Sequence, residues 1–157
     1  MRDIILMRAL HVVAVVIWIG GVSMVTTVVL PAIRRGELGT DPDGIFPVFE
    51  RRFAWQARVC VLIVGVTGFY MAWRLVLWSR FESASFWWMH AMVAVWLLFT
   101  LMLFVVEPLI LRHRLQREAG QDPQAMLARL QRGHWLLLIL SLITVLAAVA
   151  GSHGWVF

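Results

Sequence analysis

IILMRALHVVAVVIWIGGVSMVTTVVLPAI, residues 4–33, carries one formal charge, Arg8, along its whole length. A helix rises about 1.5 Å per residue, so about 20 apolar residues cross the hydrocarbon core of a bilayer. This stretch therefore predicts a membrane span. It is too long for the apolar core of a signal peptide, and no small-residue cleavage site follows it, so it reads as a retained helix. Three further stretches, 53–79, 84–111 and 134–156, have the same character. Composition agrees. Of 157 residues 61% are hydrophobic and 15% charged, with a mean hydropathy of +0.81, whereas a soluble domain is about half apolar and a quarter charged. The expected fold class is all-α: an integral membrane four-helix up-down bundle, forming one transmembrane domain over residues 1–157.

Local signals mark the joints. Pro31, the Gly36 to Gly44 stretch and Asp41-Pro42-Asp43-Gly44 break the chain after the first segment. Ser79 to Ser85 is a short link, which makes the second and third helices antiparallel neighbours. Asp122-Pro123 reads as an N-cap followed by proline at the first helical position. It starts a short amphipathic helix, 123–131, whose Met126, Leu127 and Leu130 rest on the membrane surface. Trp73, Trp78, Trp87, Trp88 and Trp155 mark one interface, and Trp55 and Trp135 the other.

All 14 basic residues are arginines. Most cluster around the first and third loops, from Arg34 to Arg58 and from Arg112 to Arg132; only Arg2, Arg8, Arg74 and Arg80 lie toward the opposite face. The positive-inside rule then puts those loops in the cytoplasm and both termini outside, as a multi-pass protein of a bacterial-type inner (plasma) membrane. The net charge of +5 is thus a topology signal, and no soluble basic patch suits nucleic acid. Cys60 is the one cysteine. That excludes an internal disulfide and covalent two-cysteine haem attachment. Without lysine, no Schiff base can form.

Ionisable residues at membrane depth are costly and usually face a partner or ligand. His11 lies about 10 Å from the outer end of its helix. His90 is a few residues into the third helix from the same side, and His153 is near the outer end of the fourth. Three readings follow. In the first, His11 and His90 are the axial ligands of a haem b, with His153 in reserve. Arg8, Arg74 or Arg80 would then meet the propionates, and Gly20, Gly21, Gly65, Gly68, Gly151 and Gly154 would allow close approach. In the second, His11, His90 and His153 bind copper, helped by Met7, Met24, Met71, Met89 or Met92. In the third, the histidines only brace helices of a structural membrane subunit. Toward the inner face, Arg58 and Glu107 lie at similar depth and read as an ion pair. With Gln56 and His134 they could instead form a quinone or proton site, where Pro108 kinks the third helix and frees a carbonyl. His113 and His134 could serve an inner haem, but their arginine-rich boundary favours solvation.

Short motifs suggest a family. Ala9-Leu10-His11 followed by Ile17-Trp18-Ile19-Gly20-Gly21, then Arg52-Phe53 with Gly65-Val66-Thr67-Gly68, resembles the first two helices of CopD-type membrane proteins and HemJ-type protoporphyrinogen oxidases. Trp88-Met89-His90-Ala91 is similar to an element of the HemJ group. That group continues with lysine where this chain has Met92, and the tyrosine and histidine it has near the end of its first helix are replaced by Val29-Leu30-Pro31. The resemblance implies a four-helix membrane protein carrying haem b on His11 and His90. The main functional expectation is a b-type cytochrome exchanging electrons with the quinone pool and a redox partner protein. As an enzyme it would be a haem-dependent membrane oxidoreductase acting on a porphyrinogen. A CopD-like copper transport protein and a structural subunit are the alternatives. Membrane lipid is the surrounding partner in every case.

Overall fold

A computed structural model describes residues 1–37, 42–111 and 123–155. Side chains are described for these residues apart from 42–50, 109–111, 123, 124 and 126. The expected Asp122 cap, the His113 cluster and Met126 lie outside them. All regular structure among the described residues is helical. α1 is Arg2–Met24, α2 Pro42–Arg74, α3 Trp87–Leu101 and α4 Pro123–Ser152. Among the described residues four stretches are long and apolar enough to cross a membrane: Arg2–Arg34, Arg51–Arg74, Ala84–Pro108 and Leu127–Ser152.

α1 packs chiefly on α2 and α3 on α4, while α1–α4 and α2–α3 contacts close the ring. The pairing is antiparallel. Tyr70 and Arg74 at the end of α2 bond Asp3 at the start of α1. Trp88 at the start of α3 lies against Gly151 at the end of α4. At the opposite end, Arg34 donates to Gln131. These two ends of the bundle are called here the Asp3 end and the Arg34 end.

The core is apolar and close-packed around Trp18, Val22, Val61, Val64 and Phe99, with the rings of Trp18 and Phe99 edge to face at 4.7 Å. Much of the outer surface is also apolar, including Val16, Val66, Leu136 and Leu146, as lipid contact requires. Buried hydroxyls return to their own helix. Thr26 donates to Val22 O at 2.6 Å and Ser141 to Leu137 O at 2.7 Å, so these two hydroxyls need no partner on another helix.

Four features depart from the sequence reading. α2 begins at Pro42, so Pro42, Asp43 and Gly44 start the helix that the sequence placed only from 53. Pro31 does not end the first helix. A π-helical turn, Val25–Val29, precedes it, and helix continues through Leu30–Arg34. The wider turn accommodates a residue that has no N–H to give. The chain then turns at Gly36, φ +71°. The expected surface helix 123–131 is instead the first part of one continuous α4. Leu127 is buried with Val29, Leu30 and Ile33, and that burial holds the segment in line. Finally, Trp88 is buried against Gly151, whereas Trp55, Trp73, Trp78, Trp87, Trp135 and Trp155 are exposed, as residues at an interface should be.

Between α2 and α3 the backbone passes through Val76, φ +52°, and two short 3₁₀ turns, Leu77–Glu82 and Ala84–Phe86. The guanidinium of Arg80 sits over the ring of Phe86 at 5.1 Å.

Candidate functional site

Toward the Asp3 end, α1 and α2 meet through a ladder of polar side chains. Asp3 accepts from Tyr70 Oη at 2.9 Å and from Arg74 at 3.1 Å. Two turns further in, His11 Nδ1 lies 2.9 Å from Thr67 Oγ1. The Thr67 hydroxyl proton is already spent on Ile63 O at 2.6 Å. Thr67 Oγ1 can then only accept, so His11 Nδ1 donates. The other ring nitrogen, Nε2, keeps its lone pair. Fixing one imidazole nitrogen by a hydrogen bond while leaving the other as a base is how proteins orient a metal-binding histidine.

Gly68 makes the contact possible. A Cβ there would lie 3.3 Å from His11 Cε1 and 3.7 Å from Nδ1, so the imidazole rests on bare backbone. Gly65 has a similar role one turn away, where a Cβ would lie 2.6 Å from the indole of Trp96. That indole in turn donates to Val61 O at 2.9 Å. Met7 precedes His11 by four residues and Met71 follows Thr67 by four. In an antiparallel pair, both fall one turn toward the Asp3 end from the His11–Thr67 contact. Both are half-buried.

The other predicted ligands lie elsewhere. His90 is exposed, with the ring of Phe81 against it edge to face at 5.3 Å. His153 is exposed and donates from Nδ1 to Val149 O of its own helix at 2.8 Å. Among the described residues no three His, Cys, Asp or Glu side chains converge as a metal site, so the expected three-histidine copper site is not assembled. His11 and His90 are held by different neighbours, Thr67 and Phe81. Arg74 is taken up by Asp3, Arg80 by Phe86, and Arg8 is exposed. Gly20 and Gly154 have open space around them, and Gly21 receives Phe53. Gly21, Gly65, Gly68 and Gly151 thus each admit a neighbouring side chain.

Nearer the Arg34 end, Arg58 and Glu107 form an ion pair at 3.1 Å, with side chains 28% and 26% exposed. Arg58 Nε also donates to Leu103 O at 3.1 Å. The reason lies five residues on. Pro108 sits inside a π-helical stretch, Met102–Leu111, where each N–H would reach back to the carbonyl of residue i−5. Pro108 has no N–H, so Leu103 O is the carbonyl left without a donor. Arg58 supplies it. His134 donates from Nδ1 to Leu130 O at 2.9 Å. Glu107 and His134 both line a cavity of about 110 Å³ whose other walls are mostly apolar. Gln56 is exposed and is not among its walls.

The copper resistance protein D family matches residues 47–154. This chain belongs to that family. The match takes in α3, nearly all of α2 and all of α4, and with them Thr67, Met71, Arg58, His90, Glu107 and His134. His11 lies before it. No curated protein and no solved structure matches the chain. With four apolar helices, this member of the copper resistance protein D family is a multi-pass membrane protein of the copper-resistance type.

Thr67 was visible in the sequence only as the interior of Gly65-Val66-Thr67-Gly68, and nothing singled it out as the partner of His11. The available signal was the threonine beside a glycine, on a helix expected to neighbour the first. That combination allows close approach and supplies an acceptor.

Proposed function

We propose that this protein takes up copper within the membrane as its cargo, at a site centred on His11 between α1 and α2. The observation that carries the reading is the hydrogen bond from His11 Nδ1 to Thr67. It leaves Nε2 free to bind a metal, in the half of the bundle where Met7 and Met71 sit one turn away. Imidazole and thioether ligands suit the soft Cu(I) ion. They carry no charge, so they hold a monovalent cation at membrane depth without adding a buried anion. Family membership supports the choice of copper.

Copper K-edge absorption on the purified, Cu(I)-loaded protein tests the proposed ligand set. The spectrum is expected to show nitrogen and sulfur neighbours together, and to lose the sulfur shell in a Met7→Leu/Met71→Leu variant. A nitrogen-only shell in the unaltered protein, or copper that leaves on desalting, contradicts it.

A further inference from the structure

We infer that α4, toward the Arg34 end, carries a site for the headgroup of an anionic phospholipid, formed by Arg129, Arg132 and Gly133. At 3.6 residues per turn these three share one face of the helix, and Leu136, Leu140 and Ile143 continue that face toward the middle of the span. All six are exposed. In a membrane span an exposed apolar face lies against acyl chains, and arginines at its end reach the phosphate level. Trp135, also exposed, marks the interface one turn inward from Arg132.

The glycine distinguishes this face from any charged helix end. Gly133 lies inside α4, Pro123–Ser152, where glycine is less favourable than alanine. Gly21, Gly65, Gly68 and Gly151 each receive a side chain from a neighbouring helix. A Cβ at Gly133 would meet nothing within 4 Å, so no described side chain fills the notch. Gly20 opens outward in the same way, but no charged residue lies within two turns of it. Gly133 has one arginine beside it and another a turn away.

Charge decides the occupant. Toward this end the acids whose side chains are described, Glu37 and Glu107, are already paired with Arg35 and Arg58. A second copy packed symmetrically on this face would set its own Arg129 and Arg132 against these, like charge on like. An anionic phospholipid answers each part of the face. Its phosphate oxygens accept from the guanidinium groups, its glycerol fits the bare backbone at Gly133, and its acyl chains follow Leu136, Leu140 and Ile143. The site lies on the outside of the bundle and does not rest on the copper reading.

Native mass spectrometry of the full chain tests the inference, with phosphatidylglycerol or phosphatidylcholine of identical acyl chains added to the detergent. The expected result is one phosphatidylglycerol retained about tenfold more tightly than phosphatidylcholine and not displaced by inorganic phosphate. Arg129→Gln/Arg132→Gln is expected to erase the preference. Gly133→Leu keeps both charges and fills the notch; it is expected to weaken retention about fivefold with unchanged helical circular dichroism. Arg51→Gln/Arg52→Gln, on α2, should leave the preference as it is. Equal retention of the two lipids overturns the inference, as does a preference that survives Arg129→Gln/Arg132→Gln, is undiminished in Gly133→Leu, or is lost equally in Arg51→Gln/Arg52→Gln. Displacement by inorganic phosphate, or a dimer mass that Gly133→Leu abolishes, overturns it in favour of a free anion or a second copy. If Arg129→Gln/Arg132→Gln does not insert, Gly133→Leu decides. Copper loading at His11, measured on the same preparations, is unaffected by either outcome.

Discussion

Thr67 has two jobs for one oxygen. Its proton goes to Ile63 O and its lone pair receives His11 Nδ1. Thr67→Val keeps the shape and removes the acceptor, so the His11 ring loses its fixed tautomer and orientation. Loss of such an outer partner typically costs about tenfold or more in metal affinity. Cu(I) affinity in Thr67→Val is expected to fall by about that factor with little loss of helical circular dichroism. Wild-type affinity in this variant would mean that Thr67 does not position the ligand. The depths of the histidines were legible in the sequence, because depth follows from counting residues along a helix. Their direction was not. Lipid and core are equally apolar here, so α1 and α3 carry no amphipathic stripe to show which side faces inward. That is why His11 and His90, alike in depth, point to different surroundings.

At the scale of an element, proline shapes two spans without ending them. Pro31 follows a π-helical turn, and Pro108 sits inside another. The sequence showed both prolines and the opposed Arg58 and Glu107, but not that Arg58 would serve as the donor that Pro108 lacks. That link is testable. Arg58→Gln removes the ion pair and the donor to Leu103 O, and is expected to destabilise the folded bundle by about 2 kcal/mol. Pro108→Ala restores an N–H to the π-helical stretch. The two changes should be non-additive, with a coupling of about 1 kcal/mol in a double-mutant cycle of unfolding in mixed micelles. Simple additivity would show that Arg58 does not repair the proline gap. α4 illustrates the reverse error. Asp122-Pro123 and the apolar Met126, Leu127 and Leu130 suggested a separate surface helix, but burial of Leu127 beside Leu30 holds the segment in line with α4.

At the scale of the molecule, the four-span architecture was legible because the bilayer sets helix length so strictly. Side chains of one half-bundle are held by Asp3–Arg74 and His11–Thr67, those of the other by Arg34–Gln131 and Arg58–Glu107. The arginine distribution predicts that the Arg34 end faces the cytoplasm. In a Cys60→Ala background, Glu37→Cys should react with a membrane-impermeant maleimide only in inverted vesicles, and Glu82→Cys only in intact cells. The opposite pattern would reverse the orientation and with it the side from which copper reaches His11.

The central claim is that His11 binds the copper, and the most direct measurement is a Cu(I) competition titration against a chromophoric chelator, comparing the wild-type protein with His11→Ala and His90→Ala. The account predicts one tight equivalent in the wild type, a loss of tenfold or more in affinity for His11→Ala, and near wild-type affinity for His90→Ala. Unchanged affinity in a folded His11→Ala protein would contradict it.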